Sequence, residues 1–83
     1  MLILPTIHLN GTSKEQLFED LSTALYAVQA AKEAVQAAAP NGRDYYTQSG
    51  NALQQALAQH AERLRSLQTV YDELHAIAEH VQS

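Results

Sequence analysis

The side chains best suited to recognising a ligand lie together in the segment 40–50, which reads PNGRDYYTQSG. Tyrosine rings can stack on a nucleobase, and an arginine can hold a phosphate through two parallel hydrogen bonds. The backbone amides around Gly42 could add a concave anion-binding nest. The carboxylate and the amide side chain of the segment could bond to the edge of a base. The candidate ligand-binding residues of this segment are Arg43, Asp44, Tyr45, Tyr46 and Gln48.

A structural interpretation of the same segment stays open. Arg43 and Asp44 could pair with each other or cap the helix that follows, and the two tyrosines could plug the end of a helical hairpin. If the segment does bind a ligand, polar side chains near the N-terminus could supply further contacts. These additional candidates are His8, Asn10 and Thr12.

The four histidines do not have the spacing of a metal site. His75 and His80 are five residues apart and diverge by about 140° around a helix. His75 and Glu79 share a helix face but supply only two ligands, fewer than a structural metal requires. We therefore expect no metal site and no cofactor. His60 occupies an apolar seam, where a polar residue typically fixes register or oligomer state; a ligand contact is the alternative.

The sequence lacks the features of the common enzyme classes. It contains no cysteine, no G-x-S-x-G motif, no glycine-rich phosphate loop and no pair of carboxylates in an apolar setting. We therefore expect a protein that is not an enzyme.

A net charge of −4 with five Lys and Arg argues against binding to duplex nucleic acid. No apolar run reaches the length of a membrane span, and the N-terminus lacks a basic signal region, so we expect a cytoplasmic protein.

A first long helix is predicted over residues 13–39. Thr12 with Glu15, and Ser13 with Gln16, both have the spacing of a capping box. The helix must end before Pro40, because proline disfavours helical geometry in the preceding residue. Eight of the sixteen residues 24–39 are alanine, which allows two helix axes to approach closely. The apolar positions follow heptad spacing, with gaps of four and three, at Leu17, Leu21, Ala24, Val28, Ala31, Val35 and Ala38.

A second, longer helix is predicted over residues 51–81, after the connecting loop 40–50. Its apolar seam also keeps gaps of four and three, which is typical of a coiled coil. A second apolar row, formed by Ala56, Val70 and Ile77, widens this stripe, so that it could face more than one partner helix. The predicted oligomer seam comprises Leu53, Leu57, His60, Leu64, Leu67, Tyr71 and Leu74, and continues to Ala78 and Val81.

Residues 1–11 are predicted to form an extended N-terminal arm. Ile3, Pro5, Ile7 and Leu9 share one phase of a period-two alternation, although the proline restricts this segment to an edge position. The arm could lie along a helix of its own chain and cover the core. Alternatively, it could be exchanged with a neighbouring subunit.

The chain as a whole is predicted to be all-α, a single domain (residues 1–83) in which two long antiparallel helices form a hairpin. It has only five aromatic residues, and much of its apolar content is alanine. Such a chain offers little area to offset an ordering entropy of about 1.5 kcal/mol per residue. We therefore expect the hairpin to associate with itself, as a dimer or a higher oligomer, into a helical bundle.

Two motifs, TIHLNGTS at residues 6–13 and PNGRDYY at residues 40–46, resemble a family of short phage and prophage proteins. The resemblance extends over nearly the whole chain and implies a phage gene product in the bacterial cytoplasm, but no settled activity. The small size, helical build and expected assembly are also similar to phage sponge proteins, which sequester cyclic nucleotide signals of bacterial defence without cleaving them. The hypothesis that follows is a nucleotide sponge. The alternative is a scaffold whose helical seams bind a host or phage protein.

Overall fold

The computed structural model describes residues 1–83 as a helical hairpin without strands. Helix α1 spans Lys14–Ala37 and helix α2 spans Ala52–Gln82. A single 3-10 turn, Gly42–Asp44, lies in the connection between them. The predicted all-α hairpin is therefore confirmed, and the helix ends differ from the predicted ones by one or two residues.

Helix α1 begins at one of the two predicted capping residues. The Ser13 hydroxyl accepts a hydrogen bond from the Gln16 amide at 3.1 Å, which satisfies one of the orphan donors of the first turn. The reciprocal half of the capping box is not formed, because the Gln16 side chain donates to Asp20 at 2.9 Å. Thr12 lies outside the helix and does not cap it.

The end of α1 comes two residues earlier than the predicted Ala39. The Ala38 amide donates to the carbonyls of both Ala34 and Val35, and the Ala39 amide donates to Gln36 at 3.2 Å. These shorter-range bonds tighten the last turn before Pro40 interrupts the helical geometry. As a result, the Val35 carbonyl accepts from the Ala38 amide at 3.0 Å instead of from Ala39, and its second lone pair can accept from another donor.

His60 supplies a second donor to the Val35 carbonyl from the other helix. Its side chain is 7% exposed, and its Nε2 lies 2.7 Å from the Val35 carbonyl oxygen, to which it donates. The imidazole therefore satisfies a carbonyl at the C-terminal end of α1 while holding one position along α2. His60 thus fixes the register of the two helices within the chain, in agreement with a polar seam residue that sets register.

The predicted seam of α2 faces α1 of the same chain. Its members are half-buried or buried, apart from Leu57, which is 43% exposed. Only three residues in the whole chain are buried, namely His60, Ala78 and Val81. The seam therefore holds the hairpin together, and its participation in an oligomer remains a prediction. The molecule is a thin rod of 61 × 24 × 18 Å.

The N-terminal arm folds over the C-terminal end of α2 in its own chain. The His80 side chain donates from Nε2 to the Pro5 carbonyl at 2.9 Å, next to the buried Val81. The arm is not a strand, and its predicted alternation is wrong: the half-buried residues are Leu2 and Pro5, three positions apart. A turn closed by the Gly11 amide and the His8 carbonyl then leads to α1.

Candidate functional site

The loop between the helices is held by the side chain of Asn41. Its Oδ1 accepts from the Arg43 amide at 3.0 Å, and its Nδ2 donates to the Asp44 carboxylate at 2.9 Å. The Asp44 amide in turn donates to the Asn41 carbonyl. Asp44 therefore stabilises the turn itself, and it does not cap α2 as the structural interpretation allowed. Arg43 forms no ion pair, although that interpretation allowed one with Asp44.

The anion nest predicted around Gly42 is not formed. A nest requires successive amides that point at one void and remain free to donate. Here the amides of Arg43, Asp44 and Tyr45 all donate to acceptors inside the turn. No residue adopts a positive φ angle, so the alternating right-handed and left-handed backbone of many nests is also absent. An anion at this loop would have to be held by side chains.

A hollow of about 240 Å³ lies between the loop and the first turn of α2. Tyr46 is 81% exposed beside it, whereas Tyr45 is half-buried. Three of the five loop candidates line this hollow, and Arg43 and Asp44 do not. The residues that line it are Gly42, Tyr45, Tyr46, Gln48, Ser49, Gly50, Leu53 and Gln54.

The three candidates of the arm lie at the other end of the molecule. His8, Asn10 and Thr12 precede α1, and the loop follows it. The 24 residues of α1 separate the two groups by about 36 Å. Within one chain, therefore, the structure does not bring together the two halves of the predicted binding site. His8 instead packs over Gly11, where an added Cβ would lie 2.8 Å from its Nε2.

A larger groove, which the sequence analysis did not identify, runs between the two helices. It has a volume of about 410 Å³ and contains two cationic side chains, Lys32 from α1 and Arg65 from α2. The Lys32 ammonium group donates to the Gln68 side chain and lies 5.2 Å from the centroid of the Tyr71 ring. The other lining residues are Gln29, Gln36, Ala61 and Leu64.

The sequence does contain a weak signal for this groove. Lys32 follows the seam residue Ala31 by one position, and Gln68 follows Leu67 in the same way. Positions that flank a heptad seam meet across the helix pair. Because the two residues are 36 positions apart, the spacing within either helix alone does not show that they are neighbours.

The groove continues into a second hollow of about 290 Å³, since Gln29 lines both. This part is aromatic: Tyr26, which is 81% exposed, and Tyr71 form its walls together with Leu25 and Ser22. Along the long axis of the molecule, one face of the hairpin therefore presents first the two tyrosine rings and then the two cations, Lys32 and Arg65, among glutamine side chains.

The histidines are engaged in contacts other than metal binding. His75 pairs with Glu79 at 2.9 Å and stacks on Tyr71, while His60 and His80 bond to backbone carbonyls. No group of three or more His, Cys, Asp or Glu side chains is placed to hold a metal ion. Neither helix combines the length and the apolar character that crossing a membrane requires.

Comparison with known proteins gives no assignment, because the chain matches no protein-family model, no curated protein and no solved structure.

Proposed function

We propose that this chain is a non-enzymatic, phage-encoded binding protein of the bacterial cytoplasm that assembles with itself and sequesters a cyclic nucleotide signal of bacterial defence. The main support for self-assembly is the large solvent-exposed area of a single hairpin. The loop and its tyrosines support the ligand class. The phage context and the counter-defence role rest on the two motifs, TIHLNGTS and PNGRDYY.

The hairpin exposes far more surface than a compact monomer of its mass. A folded monomer of 9.1 kDa exposes about 4,900 Å², whereas this chain exposes 6174 Å². The difference of about 1,300 Å² exceeds the roughly 800 Å² that each partner loses in an interface of standard size. Association of two or more copies would remove this excess, and it would give the chain the core that its three buried residues do not provide.

The loop offers a ligand a rigid aromatic surface. Its backbone is fixed by Asn41 before any ligand arrives, so binding would order only a few side chains. Tyr46 exposes its ring to solvent, and Arg43 has no carboxylate partner to displace. These side chains suit base stacking and phosphate binding, respectively.

Assembly could also unite the two halves of the predicted site. If two hairpins pack antiparallel, the arm of one copy lies beside the loop of the other. His8, Asn10 and Thr12 of the first copy would then add polar contacts to the tyrosines of the second. The side chains available there can bind and orient a ligand.

A panel of cyclic mono- and oligonucleotides tests the proposal. We expect at least one of them to raise the melting temperature, since a ligand at a hundredfold excess over its dissociation constant adds about 2.7 kcal/mol of stability. Arg43→Gln and Tyr46→Ala should reduce the shift while native mass spectrometry shows unchanged assembly. Lys14→Gln, which removes one positive charge at the start of α1, is the control. If the native protein responds to no nucleotide, the sponge function is excluded.

The apolar side chains on the surface favour a second candidate, a scaffold that binds a host or phage protein. Ile3 is 80% exposed and Leu9 is 98% exposed, although the arm that carries them is anchored to α2. Exposed apolar side chains on an ordered segment are typical of protein interfaces. A scaffold would give no thermal shift with any nucleotide, and Leu9→Asp would weaken its complex without changing the hairpin.

A further inference from the structure

We propose that the groove between the helices, in addition to the loop, binds a nucleotide, with its phosphate at Lys32 and Arg65 and its base on the exposed ring of Tyr26, beside Tyr71. This inference takes the ligand class from the proposed function but assigns it a different site. It rests on the arrangement of charge and aromatic surface along one face of the rod.

The cationic end of the groove is suited to a phosphate. Lys32 and Arg65 come from opposite helices and line the same hollow, so one anion placed between them can contact both. Three glutamine side chains, Gln29, Gln36 and Gln68, line this hollow as well. Their amide groups can donate to phosphate oxygens or to the hydroxyls of a ribose.

The aromatic end is suited to a base. Tyr71 lines the second hollow and also lies beneath the Lys32 ammonium group, so its ring marks the junction of the two parts. Tyr26 exposes 81% of its surface on the same hollow. Stacking of a base on an aromatic side chain contributes about 1–3 kcal/mol by alanine substitution. A mononucleotide presents a planar base and a phosphate one sugar apart, which matches this order of groups.

The partners that these cations already have are weak competitors. Arg65 pairs with Glu62, but the two side chains are 65% and 70% exposed. Exposed ion pairs of this kind contribute little net free energy, because water screens both charges. Lys32 donates to a neutral glutamine amide, and that glutamine also donates to Asp72 at 2.8 Å. A phosphate can therefore replace these contacts at small cost.

Assembly can leave the groove open, because the opposite face offers a different surface for it. Val70 lies five residues beyond Arg65 and hence about 140° away around α2. Ala34, two residues after Lys32, lies about 160° away around α1. That opposite face, which we call the alanine face, carries Ala27, Ala34, Ala56, Val70 and Ile77, with Arg63 at its centre between Ala56 and Val70.

Titration with adenosine monophosphate, inorganic pyrophosphate and adenosine tests the groove directly. Backbone amide chemical shifts of the ¹⁵N-labelled native protein report where each probe binds. We expect the monophosphate to shift Lys32, Arg65 and Gln68, and to bind more tightly than pyrophosphate or adenosine, since only it occupies both parts. Lys32→Gln and Arg65→Gln should each weaken its binding about tenfold. Lys14→Gln and Arg63→Gln, which remove the same charges elsewhere on each helix, should not.

A further pair of variants separates a phosphate site from general charge attraction, because Glu15→Gln removes the same charge far from the groove and should leave monophosphate binding unchanged. Glu62→Gln removes the carboxylate that competes for Arg65, and we expect it to strengthen monophosphate and pyrophosphate binding severalfold while leaving adenosine binding unchanged. The groove assignment is overturned if adenosine monophosphate shifts residues 43–48 and not Lys32 and Arg65, or if no probe shifts the groove. Neither result excludes the sponge function, which is decided by the cyclic nucleotide panel and Arg43→Gln.

Discussion

The two long faces of the hairpin flank the same interhelical seam but differ in what their side chains can do. On the groove face, long polar residues such as Lys32, Arg65 and Gln68 hold a water-accessible cleft of about 410 Å³ between the helices. On the alanine face, small side chains alternate with Val70, which is 44% exposed, and with the half-buried Ile77.

The difference favours a separate role for each face. Small apolar side chains bring two helix surfaces close together and bury area without losing side-chain entropy, which suits an interface between copies of the chain. Charged and amide side chains lose solvation when they are buried without partners, which disfavours an interface but suits a hydrated ligand site. The same two helices could thus carry assembly on one face and recognition on the other.

The largest effect is expected from a charge on the alanine face. Val70→Glu should raise the dissociation constant of the oligomer about a hundredfold or more, because an unpaired carboxylate in an interface costs about 3–5 kcal/mol. Gln68→Glu adds the same charge two residues away on the groove face and should leave assembly intact. Light scattering coupled to size exclusion measures both masses. Equal masses for native protein and Val70→Glu would place the interface elsewhere.

A smaller effect is expected at the seam that both faces share. His60→Ala removes the donor to the Val35 carbonyl and leaves a void in the thin core. We expect a loss of about 2–3 kcal/mol in the free energy of unfolding, from the hydrogen bond and the lost packing together. Urea denaturation measures it, and His75→Ala, on the exposed part of α2, is the control. If the two variants lose the same stability, His60 does not lock the register.

The smallest effect is expected at the start of α1, away from both faces. Ser13→Ala should cost about 1 kcal/mol, because its hydroxyl is the helix cap. Thr12→Ala removes a hydroxyl one residue earlier and should be close to neutral. The urea midpoint should therefore be lower for Ser13→Ala than for Thr12→Ala. A lower midpoint for Thr12→Ala would assign the cap to Thr12 instead.

Much of the fold follows from spacing along the chain. Gaps of four and three place apolar side chains on one stripe of each helix, Pro40 ends the first helix, and the hydroxyls before Lys14 begin it. The position of His60 in the seam is likewise a property of the sequence. These features depend on neighbours within a helical turn or two, and the helix itself sets the geometry of such neighbours.

The sites depended on contacts that spacing does not encode. The composition of the loop 40–50 differs from that of the helices, but only the folded turn shows that the Asn41 side chain donates to Asp44 and that the amides near Gly42 are already bonded. The polar residues of the arm and those of the loop look like parts of one site in the sequence, yet α1 holds them about 36 Å apart in one chain.

The sequence by itself determined two helices, their seam and the polar residue within it, because helical periodicity is local. Only the tertiary structure decided that the seam is used within the chain, that the arm returns to His80, and that Lys32 meets Gln68. Those outcomes depend on the register and relative rotation of two helices far apart in sequence. The physical reason is that pairing geometry is fixed by packing and by a few long-range hydrogen bonds, such as that of His60.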